Sequence, residues 1–177
     1  GDLSEAISLL VRLRERHYDS LSDQQRVSSA LALTRCYRNS GDTGRAISVA
    51  EQEMDRMVSV GWTDDLVELG ATLLSCYIAQ GDLLRAQHYA AELLAAAEAL
   101  GTPRAIVAAN WEAAIAADVA GRSEEALPLV ERAWAVQSEN GEPRNLARLR
   151  FEYAYIRLRN RPEEAAECRE LLLRAER

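Results

Sequence analysis

Apolar and small residues recur at steps of three and four along most of the chain. Val27, Leu31, Thr34 and Tyr37 form one such series, and Val67, Ala71, Leu74 and Tyr77 form a second one forty residues later. This spacing lines one face of an α-helix. No segment shows the every-second-residue alternation of a half-buried strand, so the pattern predicts an all-α chain.

The glycines set the lengths of those helices. Gly1, Gly41, Gly61, Gly81, Gly101, Gly121 and Gly141 stand on one lattice with a step of twenty, and only Gly44 and Gly70 of the nine fall off it. Glycine ends a helix in the left-handed conformation without a Cβ clash, so each interval predicts one helix and one short turn. Asp follows Gly1, Gly41 and Gly81, where its carboxylate can accept from free N–H groups at the next helix start, and Ser123 is expected to do the same after Gly121. These are tight turns within a helical hairpin. After Gly61, Gly101 and Gly141 come Thr63-Asp64-Asp65, Thr102-Pro103 and Glu142-Pro143, looser starts with Pro suited to the first helical position. Leu21 replaces a glycine at the first joint, but Ser22 with Gln25 supplies a capping box. In the last unit Arg161-Pro162-Glu163-Glu164 takes the place of the Gly-Asp turn, again with Pro expected early in the following helix.

Five residues beyond each hairpin turn stands alanine: Ala6, Ala46, Ala86, Ala126 and Ala166. A small side chain there lets two helices approach closely. Ala86→Leu is expected to destabilise by roughly 1 to 3 kcal/mol through overpacking.

Composition narrows the function. With 177 residues, 48% of them hydrophobic, the chain can bury a sizeable core. Its net charge of −7 repels the phosphate backbone, whose neutralisation by basic side chains supplies most nucleic-acid affinity, so direct nucleic-acid binding by this segment is not expected. All 21 basic residues are Arg, and Ala is abundant, a usage that resembles the codon bias of a GC-rich genome. Cys36, Cys76 and Cys168 are odd in number and lie among apolar residues, so free buried thiols of a reducing cytoplasm are expected. Cys36 and Cys76 fall on neighbouring helices whose axes stand about 8 to 10 Å apart, too far for a disulfide. No apolar run is long enough to span a membrane. His17 and His88 lack metal-ligand spacing, and no phosphate loop, nucleophile motif or carboxylate pair stands out, so neither metal, cofactor nor catalysis is expected.

Leu73-Leu74 and Tyr77, then Gly81-Asp82, then Ala86 resemble the tetratricopeptide repeat (TPR), whose helix pair places Leu-Gly, Tyr, Gly and Ala at those offsets. The repeat here is 40 residues, similar to the longer repeats of bacterial helix-turn-helix sensor regulators and kinesin light chains. The resemblance covers the whole chain and implies a right-handed α-solenoid of about four and a half hairpins and roughly nine antiparallel helices. On this reading residues 1–177 are one repeat domain with units at about 1–20 (a half unit), 21–60, 61–100, 101–140 and 141–177. Starting on the second helix of a hairpin, it is expected to be a fragment of a longer protein.

The resemblance also implies a concave face lined by the first helix of each pair, starting near Asp23, Thr63, Pro103 and Pro143. Alignment of the units makes Leu31, Arg35 and Arg38 equivalent, position by position, to Ala71, Ser75 and Ile78, then to Trp111, Ile115 and Asp118, then to Phe151, Tyr155 and Leu158. The expected binding set is Arg35, Arg38, Ser75, Asn110, Trp111, Ile115, Arg148, Phe151 and Tyr155. In it the aromatics anchor an extended peptide or partner helix, Asn110 clamps its backbone, and Arg148 offers a fork for a carboxylate. Against that set stand plainer readings: aromatics filling an inner seam, Asn110 as a local cap, and the arginines at 144, 148, 150, 157, 159 and 161 as a solvated face paired with Glu142, Glu152, Glu163 and Glu164.

The function expected is a protein- or peptide-binding, ligand-sensing module, the C-terminal regulatory domain of a bacterial transcription regulator. Its DNA-binding domain lies outside this chain, and a homodimer is a further expectation. A generic scaffold, or a repeat region attached to an ATPase or other enzyme, are the alternatives.

Overall fold

A computed structural model describes residues 3–57, 59–140 and 143–173. Gly1, Asp2, Gly141, Glu142 and the side chain of Arg144 lie outside the described residues, and with them the first Gly-Asp turn and the last joint. Nine α-helices follow one another among the described residues: α1 (Leu3–His17), α2 (Asp23–Asn39), α3 (Thr43–Met57), α4 (Asp64–Gln80), α5 (Leu83–Leu100), α6 (Pro103–Val119), α7 (Ser123–Asn140), α8 (Pro143–Asn160) and α9 (Ala165–Leu173). No described residue is in a strand.

The local chemistry read in the sequence sets the helix ends. Ser22 and Gln25 form the capping box reciprocally, the Ser22 Oγ accepting from the Gln25 N–H and the Gln25 Oε1 accepting from the Ser22 N–H at 2.9 Å. Thr63 and Thr102 cap α4 and α6 by accepting from the N–H groups of Leu66 and Ala105, both at 3.2 Å. Asp42 and Asp82 accept from the N–H groups of Arg45 and Arg85 in the same way. At Gly81, φ is +76°, which lets the Asp82 N–H reach back to the Tyr77 carbonyl at 3.0 Å and close α4. Gly41, Gly61, Gly101 and Gly121 take positive φ as well.

Two local expectations are corrected. Ser123 is the first residue of α7 and does not cap it; its hydroxyl donates to the Asp118 carboxylate at 2.8 Å. After Arg161 the chain makes a short 3-10 turn, Pro162–Glu164, so α9 starts only at Ala165.

The helices fall into two compact units that divide after Ala86, within α5. In the first, α2 packs on α1, α3 and α4, and α3 on α4. Leu69, Leu73 and Leu74 of α4 are sealed from solvent together with Ala30 and Leu33 of α2 and Ala46 and Ala50 of α3. In the second, α6 packs on α7 and α8, α7 on α8, and α8 on α9. Its core gathers Ala114, Ala117, Ala126, Val130, Ala133, Leu149 and Ile156. Each fully buried Leu, Ile or Val there contributes about 1.5 to 3 kcal/mol relative to exposure.

The alanine series holds in three hairpins of five. Ala46, Ala86 and Ala126 are at most 1% exposed, whereas Ala6 is half-buried and Ala166, at the start of the short α9, is exposed. Ala46→Leu, Ala86→Leu and Ala126→Leu are therefore each expected to destabilise by roughly 1 to 3 kcal/mol in urea unfolding. Ala166→Leu should change it by less than about 0.5 kcal/mol, and equal losses at all four sites would refute the close-approach argument. The thiols also depart from expectation: Cys76 and Cys168 are buried, but Cys36 is half-exposed, and all three are free. Burial pushes the Cys168 thiol up, which keeps it protonated and unreactive.

Candidate functional site

The expected binding residues divide between the two units. Arg35 and Arg38 of α2 and Ser75 of α4 belong to the first. There Arg35 pairs with Glu68 at 3.0 Å, Arg38 donates to the Ser75 Oγ at 2.9 Å, and the Ser28 hydroxyl donates to Asp65 at 3.0 Å. Residue numbers rise together across these three bonds, so α2 and α4 run parallel and are laced by polar groups. The two arginines thus hold one helix to the next.

In the second unit α6 and α8 repeat that arrangement with different chemistry. The Arg148 guanidinium lies over the Trp111 ring, 5.3 Å from its centroid, and Arg159 pairs with Asp118 at 2.8 Å. Asp118 is buried and also takes the Ser123 hydroxyl, so its charge is compensated on both sides. Phe151 and Tyr155, one turn apart on α8, stack at 6.3 Å with their planes within 12°, and Arg159 covers the Tyr155 ring. The two rings are 55% and 47% exposed, and Leu158 one turn further is 41% exposed. Ile115 of α6 is half-buried. The face thus carries an apolar stripe at i, i+4 and i+7, with Arg148 at its N-terminal end.

Two members of the set behave differently from the others. Asn110 is 2% exposed and its amide nitrogen donates to the Ile106 carbonyl at 2.8 Å, the local bond within its own helix. Trp111 packs on the core of the second unit, and its indole N–H is sealed with no hydrogen-bond partner among the described residues. Trp111 therefore forms the floor of the face and Phe151 and Tyr155 its exposed part.

Among the described residues no carboxylate is in salt-bridge contact with Arg148, whereas Arg157, Arg159 and Arg161 all have one. The arginines at 157, 159 and 161 thus follow the paired-face reading, although with Glu164, Glu167, Asp118 and Glu131 as partners. Glu152, half-buried, has its carboxyl pushed above the ordinary range by burial, with the charge of Arg148 opposing and that of Asp118 adding to the shift.

A second feature was not legible from the first helices alone. Trp134 of α7 stacks on Tyr153 of α8 at 5.4 Å, and with Arg157, Glu167, Glu170 and Leu171 they line an open cavity of about 250 Å³. Arg157 crosses it, bound to Glu164 and Glu167 and lying over the Tyr153 ring. Among the described residues, no three His, Cys, Asp or Glu side chains gather as metal ligands, and no helix is long and apolar enough to cross a membrane.

No protein-family model and no curated protein matches the chain. Solved structures do resemble it. One is a set of nearly identical TPR-like repeats named as a kinesin light chain in Podosopora anserina, 20% identical over 98% of this chain and 87% of that one, with a TM-score of 0.69. Another is a Rap protein complexed with competence and sporulation factor, 15% identical, with a TM-score of 0.82 over 98% of this chain and 49% of that one. A third is BtubC (BKLC) from P. vanneervenii, 14% identical over 99% of this chain and 74% of that one, with a TM-score of 0.76. At these identities the likeness concerns the fold: this is an all-α chain of the TPR-like α-solenoid class.

Proposed function

We propose that this chain is a protein- or peptide-interaction module that works through the α6/α8 face of its second unit. The carrying observation is the stacked Phe151–Tyr155 pair, which stands in solvent beside Arg148 and Trp111. Aromatic anchors beside an arginine are enriched at the centres of interfaces; Arg148 and both rings are exposed, and nothing within the described second unit covers the rings. A Rap protein of the same fold is found with competence and sporulation factor bound, which supports the same use here. The acidic balance of −7 supports a role that leaves nucleic acid to another part of the protein.

The finer reading is that the module is the C-terminal regulatory domain of a bacterial transcription regulator, acting in the cytoplasm and as a homodimer. The forty-residue repeat and the all-Arg composition support it. A basic helix-turn-helix encoded upstream of Gly1 would uphold that reading, and a phosphate-binding loop there would replace it with an ATPase-linked repeat region. Sedimentation velocity of the chain tests the dimer.

Binding itself is tested by selecting displayed peptides on the wild-type chain and counter-screening on Phe151→Ala/Tyr155→Ala. Both rings are exposed, so the double variant is expected to keep its helicity and melting temperature while losing the selected peptides by at least about tenfold. Clones that bind the double variant equally well would remove the α6/α8 face from the function.

A further inference from the structure

Three guanidiniums converge on one ring where α1 passes into α2. Tyr18, in the short 3-10 turn Tyr18–Ser20, has Arg14 of α1 at 5.2 Å from its centroid, Arg26 of α2 at 4.8 Å and Arg56 of α3 at 4.6 Å. A ring has two faces, so at least two of these cations share one. Like charges held this close repel unless anions stand between them. Two carboxylates are in salt-bridge contact with the three cations: buried Glu53 with Arg14, and Asp23 with Arg26 at 3.3 Å. Among the described residues Arg56 is in no salt bridge; it is exposed and stands near the Tyr18 hydroxyl. Arg14 is committed to its short bonds with Glu53, Ser29 and the Arg26 carbonyl. Arg26 is held more loosely, because its bonds to the Tyr18 and Asp19 carbonyls and to Asp23 are all 3.2 or 3.3 Å long. Charge-assisted N–H to oxygen bonds settle at about 2.7 to 2.9 Å.

We infer that Arg26 and Arg56 form a binding site for a phosphoryl group beside Tyr18, within the first unit and apart from the α6/α8 face. The donors select that chemistry. They come from two different helices braced on the same ring, so an anion joining them must offer oxygens in more than one plane. A carboxylate presents two coplanar oxygens, which suit one guanidinium fork, whereas a phosphoryl group presents three and bridges both. Its double charge also outweighs the single charge of Asp23 in the competition for Arg26. A helix preceding α1 would leave this site open. In the second unit α6 packs on α7 and α8 and not on α9 among the described residues. The forty-residue step sets a first helix before α1 against α1 and α2 in the same way, clear of Arg56 on α3.

Titration of the whole chain with inorganic phosphate, followed through the arginine Nε–H resonances in NMR spectra, tests this. The resonances lost in Arg26→Gln and Arg56→Gln are expected to move with phosphate and to stay in place with acetate at equal ionic strength. Arg56→Gln removes an exposed side chain and should keep the fold while weakening phosphate by about three- to tenfold. Asp23→Asn, which releases Arg26, should strengthen it by about two- to threefold, a gain that a purely structural cluster would not show. Arg148→Gln, in the second unit, should change nothing. A serine-phosphorylated peptide and its unphosphorylated counterpart separate the sources of the group. Binding of the phosphopeptide at least about tenfold tighter than phosphate assigns the site to a modified protein segment, and equal binding assigns it to a small phosphate ester. Resonances that phosphate leaves in place, acetate binding as well as phosphate, or an Arg56→Gln chain of unchanged affinity would each overturn the site.

Discussion

Arg14→Ala is expected to lower the unfolding free energy of the first unit by about 3 to 5 kcal/mol. The reason lies in Glu53, whose side chain in the middle of α3 has no solvent exposure at all. Its charge is met by the Arg14 guanidinium at 2.6 Å and by the Tyr18 hydroxyl, which donates at 3.0 Å. Arg14 also donates from Nη1 to the Arg26 carbonyl and the Ser29 hydroxyl, so the pair fixes α1 to α2 and α3. Removing Arg14 strands a buried carboxylate in a medium that solvates it poorly, and that penalty dominates the lost attraction. Replacing both partners, Arg14→Met with Glu53→Met, should recover most of the loss, because the desolvation cost of the two charges disappears with them. Urea unfolding followed by circular dichroism reads both variants. A loss under about 1 kcal/mol for Arg14→Ala would mean that water reaches Glu53.

The second large effect has the opposite sign. Pro128→Ala is expected to stabilise the second unit by about 3 kcal/mol. Pro128 sits at the sixth position of α7, past the first turn in which a missing N–H is harmless, and it leaves the Glu124 carbonyl without its donor. The ring is exposed, so no packing is lost with it. The same unfolding measurement checks this, and an unchanged midpoint would show that the helix has already adapted around the ring.

Helix ends were the most legible part of this sequence, because their chemistry is local. Ser22, Thr63, Thr102 and the lattice glycines act on residues three or four positions away, and the structure places them as their types require. Ser123 departs because a buried Asp118 competes for its hydroxyl, a partner that a turn motif does not reveal. Within the expected binding set, the register put Trp111, Phe151 and Tyr155 on equivalent inner positions of α6 and α8, and the structure brings Arg148 over the Trp111 ring and stacks Phe151 on Tyr155. What the register of first helices could not show was which of them the next helix covers. The Arg14–Glu53 pair was missed although a signal existed: Glu53 shares its lattice position with Leu13, Leu93 and Ala133, and a carboxylate on an apolar position demands a buried partner. Trp134 and Tyr153 were missed because only one helix of each hairpin was searched for side-chain clusters.

The span of the side-chain bonds bears on how the chain reaches this state. Arg14 and Glu53 are 39 residues apart, Arg38 and Ser75 37, and Asp118 and Arg159 41. No bond named here asks distant stretches of sequence to meet, so the entropy of loop closure stays small at every step. Low contact order of this kind goes with folding in microseconds to milliseconds and with nucleation at more than one place along the chain.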